Sequence, residues 1–147
     1  MMHSQAFPLD PDRVKHLEFI QAVIARLASN SFLIKGWSLT VAAALLAFTA
    51  KESTWGVSLI PLVPIALFWL LDGLFIRQER AFRNLYEETR KQGTSVEPFS
   101  MDASQFVERE PITAVLTSWS LVLFHGGLFL AQLIVAAVIL LSGRSVA

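Results

Sequence analysis

Apolar positions along the chain gather into three long runs separated by polar stretches. Residues 31–50, "SFLIKGWSLTVAAALLAFTA", hold one charge, Lys35, near their start. Residues 57–76, "VSLIPLVPIALFWLLDGLFI", hold one charge, Asp72, near their end. Residues 121–141, "LVLFHGGLFLAQLIVAAVILL", hold none. A helix needs about 20 apolar residues to cross the ~30 Å hydrocarbon core of a bilayer, and each run reaches that length. The pattern predicts an all-α membrane protein with three transmembrane helices, at 31–50, 57–76 and 121–142, followed by a short tail at 143–147.

The flanking segments carry a helical period of their own. "LDPDRVKHLEFIQAVIARLASN" opens with an Asp10 N-cap and Pro11 at the first helical position. Leu17, Ile20, Ile24 and Leu27 then follow helical spacing, with Lys15, Glu18, Gln21 and Arg26 on the polar side. Residues 1–30 therefore read as an amphipathic helix that continues into the first span and lies on the membrane or against a neighbouring helix. After the second span, "RQERAFRNLYEETRKQG" predicts a water-exposed helical extension with a narrow apolar stripe of Phe82, Leu85 and Tyr86. Glu79 with Arg83, Arg83 with Glu87 and Glu87 with Lys91 stand at i,i+4 spacing, and Gly93 is the expected stop. The rest of residues 77–120 is less regular: Pro98 and Pro111 bracket a stretch with a short helix expected from Ser100. Beyond Pro111 the chain lies partly at the interface, and Gly126 and Gly127 are the expected bend.

Composition and charge sharpen this picture. Of 147 residues, 54% are hydrophobic and 16% charged, against about 25% charged in soluble domains. Lys+Arg and Asp+Glu both number 12, so no basic excess points to nucleic acid. The absence of cysteine excludes disulfides, thiolate metal sites and cysteine catalysis. Asp10, Asp12, Arg13, Lys15, Glu18 and Arg26 interrupt any apolar run of a signal peptide near the start. Basic residues favour the cytoplasmic side. Arg13, Lys15 and Arg26 precede the first span, and Arg77, Arg80, Arg83, Arg90, Lys91 and Arg109 follow the second, whereas the 51–56 hairpin has only Lys51 and the tail only Arg144. The N-terminus and residues 77–120 are thus expected in the cytoplasm, with the hairpin and the C-terminus in the periplasm. Trp37, Trp55 and Trp119 suit interfacial positions.

In that orientation Lys35 and Asp72 lie at similar depth, each about one turn inside the same leaflet. They form a candidate intramembrane pair, because ionisable groups in a span are costly and mark functional sites; snorkelling of each to the headgroups is the alternative. Ser38, Thr40, His125 and Gln132 complete the polar set of the spans. Small residues four apart, Ser38 with Ala42, Ala43 with Ala47 and Gly127 with Ala131, allow close helix approach. The chemistry of catalysis or metal binding has little to build on. His3, His16 and His125 form no ligand pair, Glu108 and Glu110 point apart on a helix, and there is no phosphate loop or nucleophile elbow. No enzyme, metal or cofactor is expected.

Three blocks, "HLEFIQAVIARLASNSFLIKGWSLT", "FWLLDGLFIRQERAFRNLYEETR" and "PFSMD", together cover about residues 16–102. In order and spacing this stretch resembles a family of small bacterial membrane proteins, the transmembrane effectors of nucleotide-signalling antiphage defence systems of the Pycsar type. The resemblance implies a homo-oligomeric effector of the inner membrane that impairs membrane integrity when a partner cyclase makes a cyclic pyrimidine nucleotide. Arg77, Arg80, Arg83, Tyr86 and Arg90 become candidate nucleotide contacts, four for phosphate and Tyr86 for stacking on a base. The family is often richer in tyrosine and leucine after the ER pair; here the chain reads "ERAFRNLYEE", so no ligand contact carries over to Phe82. The alternative reading is a non-conducting anchor or scaffold that recruits a cytoplasmic partner. A transporter subunit is a third, weakened by the lack of an inverted repeat.

Overall fold

The computed structural model describes residues 10–49 and 56–142. Lys51, Trp55 and Arg144, on which part of the orientation reading rests, lie outside those residues, as does His3. Among the described residues the chain is all-helical, with no strand. Helix α1 runs unbroken over Pro11–Thr49, 39 residues. A 3-10 turn at Val57–Leu59 leads into α2, Leu62–Thr89. Short helices follow, α3 at Ser104–Val107 and α4 at Ile112–Leu116. A turn of helix, α5 at Trp119–Leu121, then passes through a π-turn at Val122–Gly126 into α6, Gly127–Leu141. Three helical stretches, Pro11–Thr49, Val57–Thr89 and Trp119–Leu141, are long and apolar enough to cross a membrane.

At 1.5 Å per residue α1 is about 58 Å long, nearly twice the ~30 Å hydrocarbon core. It must therefore project well beyond any bilayer that its second half crosses. α1 and α2 pair antiparallel: Arg13 Nε donates to Thr89 O at one end, and Ser31 meets Asp72 further along. The buried stripe of α1 explains both halves of the hairpin. Leu17, Ile24, Ser31 and Ser38 recur every seven residues, joined by Ile20, Ala42 and Thr49. Apart from the buried His16, the stripe is apolar before Ser31, and it turns polar or small from Ser31 onward. This change marks a change of solvent. In water a helix buries its apolar face; in lipid no hydrophobic force draws helices together, and small and polar residues make the contact.

The outward surface changes in the complementary sense. Phe32, Leu67, Trp119 and Leu141 are 77, 62, 79 and 85% exposed, whereas Ser38, Asp72 and His125 are 0% exposed. Polar inside and apolar outside is the arrangement a bilayer demands.

The projecting part is a compact body around Ile20, Ile24, Ala81, Leu85, Ala103 and Phe106, flanked by Phe82, Tyr86, Val96 and Val107. Each fully buried aliphatic or aromatic side chain there contributes about 1.5–3 kcal/mol. The extension of α2 is thus half-covered rather than water-exposed all round. Its stripe packs on α1, and the segment between α2 and α4 closes over it. α2 ends at Thr89, four residues before Gly93, whose φ of 73° serves the loop. Lys91 consequently lies past the helical register and pairs with Glu88, leaving Glu87 to Arg90. The chain breaks at Ser118, where ψ is 145°, before the last helical stretch, whereas Gly126 closes the π-turn and Gly127 opens α6, both with helical dihedrals.

Candidate functional site

The polar side chains of the three spans converge on Asp72. Its Oδ1 accepts a hydrogen bond from Ser31 Oγ at 2.5 Å, and its Oδ2 takes Lys35 Nζ at 2.6 Å and His125 Nε2 at 2.9 Å. Lys35 Nζ also donates to Ser31 Oγ at 2.9 Å, which their i,i+4 spacing on α1 allows. With the carboxylate ionised, His125 Nε2 carries the donated proton. His125 Nδ1 then faces Ser38 Oγ at 3.5 Å. One residue from α2 thus ties together two turns of α1 and the π-turn before α6. A π-turn is an uncommon feature that tends to occur at functional positions, and this one contains His125 itself.

A carboxylate in a low-dielectric interior costs several kcal/mol unless it is paired and its remaining lone pairs are filled. Asp72 meets both conditions, with three donors of which Lys35 is the counter-charge. The rings of Trp69 and Phe124 enclose the site: Trp69 stacks on His125 at 6.1 Å and 16°, and Phe124 meets it edge-on at 5.1 Å. Trp69 Nε1 donates to Leu116 O at 3.1 Å, joining α2 to the end of α4. The order serine, imidazole, carboxylate resembles an activated nucleophile. Ser38, however, is fully buried, so no substrate reaches its hydroxyl in this arrangement. Gln132 stands one layer away, its amide donating to Ser58 O, while Thr40 is exposed and bonds back to Gly36 O.

Ser31 and Trp69 join the centre without belonging to the polar set expected from the sequence. Ser31 had a visible signal, since it lies four residues before Lys35 and seven before Ser38, on one helical face. Trp69 had none beyond its place one turn before Asp72, because its partner Leu116 is 47 residues away.

The arginines lie apart from this centre, along the projecting part of α2. Arg77 donates to Glu110 O at 2.7 Å and to Val107 O at 3.0 Å, tying down the segment after α3. Arg80 stands 3.7 Å from Glu110, Arg83 pairs with Glu79 at 2.6 Å, and Arg90 pairs with Glu87 at 3.2 Å. Arg83 and Arg90 are the most exposed of the four, at 61 and 58% of their side chains. Tyr86 is half-buried beside the body's core. Among the described residues, Tyr86 borders a groove with Val14, Leu17, Glu18 and Gln21, which none of the four arginines lines. At the far end of the body, His16 Nε2 donates to Ser100 O at 2.7 Å, and its Nδ1 accepts Phe99 N–H at 3.3 Å. Both ring nitrogens thus hold the "PFSMD" loop. Among the described residues no cluster of acidic and histidine side chains could hold a metal.

No protein-family model, curated protein or solved structure matches the chain.

Proposed function

We propose that this chain is a membrane effector of an antiphage defence system. It self-associates in the inner membrane, with its projecting body in the cytoplasm, and impairs membrane integrity on a cyclic-nucleotide signal. The observation that carries this reading is the unbroken path from the body to the Asp72 centre. α1 and α2 each run without interruption from one to the other, so a displacement of the body is delivered to the buried pair as a rigid movement. Lys35, Ser31 and His125 hold the resting arrangement; separating them exposes an unpaired carboxylate and an ammonium in lipid, and water then follows. Arg80, Arg83 and Arg90 supply cations to a phosphate, and the Arg90–Glu87 pair, exposed on both sides, is worth about 0–1 kcal/mol, weak enough to be exchanged. Arg77 instead anchors the segment that closes over the body.

Expressed with a pyrimidine nucleotide cyclase, or in cells loaded with cyclic CMP or cyclic UMP, the protein should depolarise the membrane within one round of induction. Asp72→Asn should shift the nucleotide dose needed. An unchanged membrane potential in induced, signal-loaded cells would rule the effector reading out.

One observation favours a non-conducting scaffold instead. Phe19 and Phe99 are about half exposed on the body and their rings lie 6.2 Å apart, which suits a recruited partner. A single stoichiometric soluble partner in a mild-detergent pull-down, without self-association, would decide for that reading.

A further inference from the structure

Beside the Asp72 centre, the outer face of the bundle carries an open groove of about 590 Å³, lined by Lys35, Trp119, Ser120, Leu123, Phe124 and Gly127. Its two ends differ in chemistry. One end has the ammonium of Lys35 with the exposed Trp119 and Ser120; the other runs on, apolar, to Leu128. Trp at such an exposed helix end suits the headgroup level of a bilayer. From Ser120 to Leu128 the helix rises about 12 Å, less than half the ~30 Å core, so the groove lies within one leaflet.

Lys35 has three N–H donors, of which Ser31 and Asp72 take two. Its side chain keeps 20% exposure while Asp72 behind it keeps 0%, so the groove meets the cation and not the anion. At Gly127 an added Cβ would touch nothing within 4 Å, which leaves the floor of the groove open.

We infer that this groove binds an anionic phospholipid, with a phosphate oxygen accepting from Lys35 and one acyl chain lying along Leu123, Phe124 and Gly127. A second copy of the chain fits less well. Asp72 is the only acidic residue in the three apolar runs and it is sealed inside, so a copy packed here brings apolar surface and no acceptor of opposite charge. The site stands independently of the effector reading, because lipid retention is measured on purified protein and depolarisation in cells.

The test is native mass spectrometry of the full chain, extracted in mild detergent with equal phosphatidylglycerol and phosphatidylethanolamine. The protein should retain phosphatidylglycerol in preference. Lys35→Gln and Gly127→Leu should each lower that retention about tenfold, the loss expected of one charge-assisted contact or of the chain's channel. Gly127→Leu fills open space on a helix and should keep the parent melting temperature, so it tests the site even where Lys35→Gln unfolds the bundle. Equal retention of the two lipids, or undiminished retention by Gly127→Leu, would overturn the assignment. So would Leu123→Cys cross-links between copies whose yield added phosphatidylglycerol does not reduce.

Discussion

At the residue scale the chain is organised by one carboxylate. Asp72 accepts from Ser31, Lys35 and His125, and removing it leaves the partly buried Lys35 without its counter-charge. Breaking one half of a buried ion pair costs about 3–5 kcal/mol. Asp72→Leu should therefore lower the melting temperature in detergent sharply, whereas Asp72→Leu combined with Lys35→Met should recover most of the loss. Equal stability of the single and double variants would show that the two residues do not act as a pair. A second carboxylate makes a milder prediction. Asp102 Oδ1 accepts the Ser104 N–H at 2.9 Å at the start of α3, and hydrogen bonding from the Ser104 side chain and then its backbone holds the carboxyl below the usual aspartate range. The depressed folded pKa gives a contribution present above the unfolded pKa of about 3.9 and lost as pH falls through the folded value. Carboxyl NMR should find Asp102 titrating below an unfolded aspartate, and Asp102→Asn should remove that part of the acid dependence.

At the element scale the packing of α2 on the helices after Pro111 depends on a small residue. A Cβ on Gly73 would stand 2.6 Å from Leu116 Cδ2 and 3.5 Å from its Cγ. The first contact is with the tip of a flexible side chain, which can turn aside. Gly73→Ala should thus cost little, because the ~1 kcal/mol gain in helix propensity offsets the repacking. Gly73→Leu has no such escape and should cost about 1–3 kcal/mol by overpacking, read as a fall in the denaturation midpoint. Helical periodicity made α1 and α2 legible as elements, including the continuation of α1 through Ser31. It did not locate the break at Ser118. That break follows from Ser118 turning extended between α4 and α5, while the two glycines that were the expected bend keep helical dihedrals at the junction of the π-turn and α6.

At the scale of the whole molecule, the body and the spans share two long helices but obey opposite packing rules. Leu85 and Ile24 belong to the body's apolar core. Leu85→Ala should destabilise it by about 2–5 kcal/mol, detectable as faster proteolysis of the segment after Thr89, with the spans still resisting protease in vesicles. Sidedness is accessible because the chain has no cysteine. Single cysteines at the exposed positions Glu97 and Ser142 should react from opposite faces of the membrane, with Glu97→Cys shielded from an impermeant maleimide in intact cells. Labelling of both from outside would overturn the three-span reading.

Sequence by itself determined the class of this protein: three runs of bilayer length, an amphipathic lead into the first, and every charge except Lys35 and Asp72 outside the runs. Those properties are local sums over neighbouring residues, and the solvent around each segment follows from them. Only the tertiary structure decided which polar side chains meet. The helical period places Ser31, Lys35 and Ser38 on one face, but the rotation of α2 and α6 about their axes is set by contacts between residues 41 to 87 positions apart. Equal depth in the bilayer made Lys35 and Asp72 a candidate pair in the sequence, but a chain read in order carries no measure of those separations, so the joining of Ser31 and His125 to that pair had to come from packing.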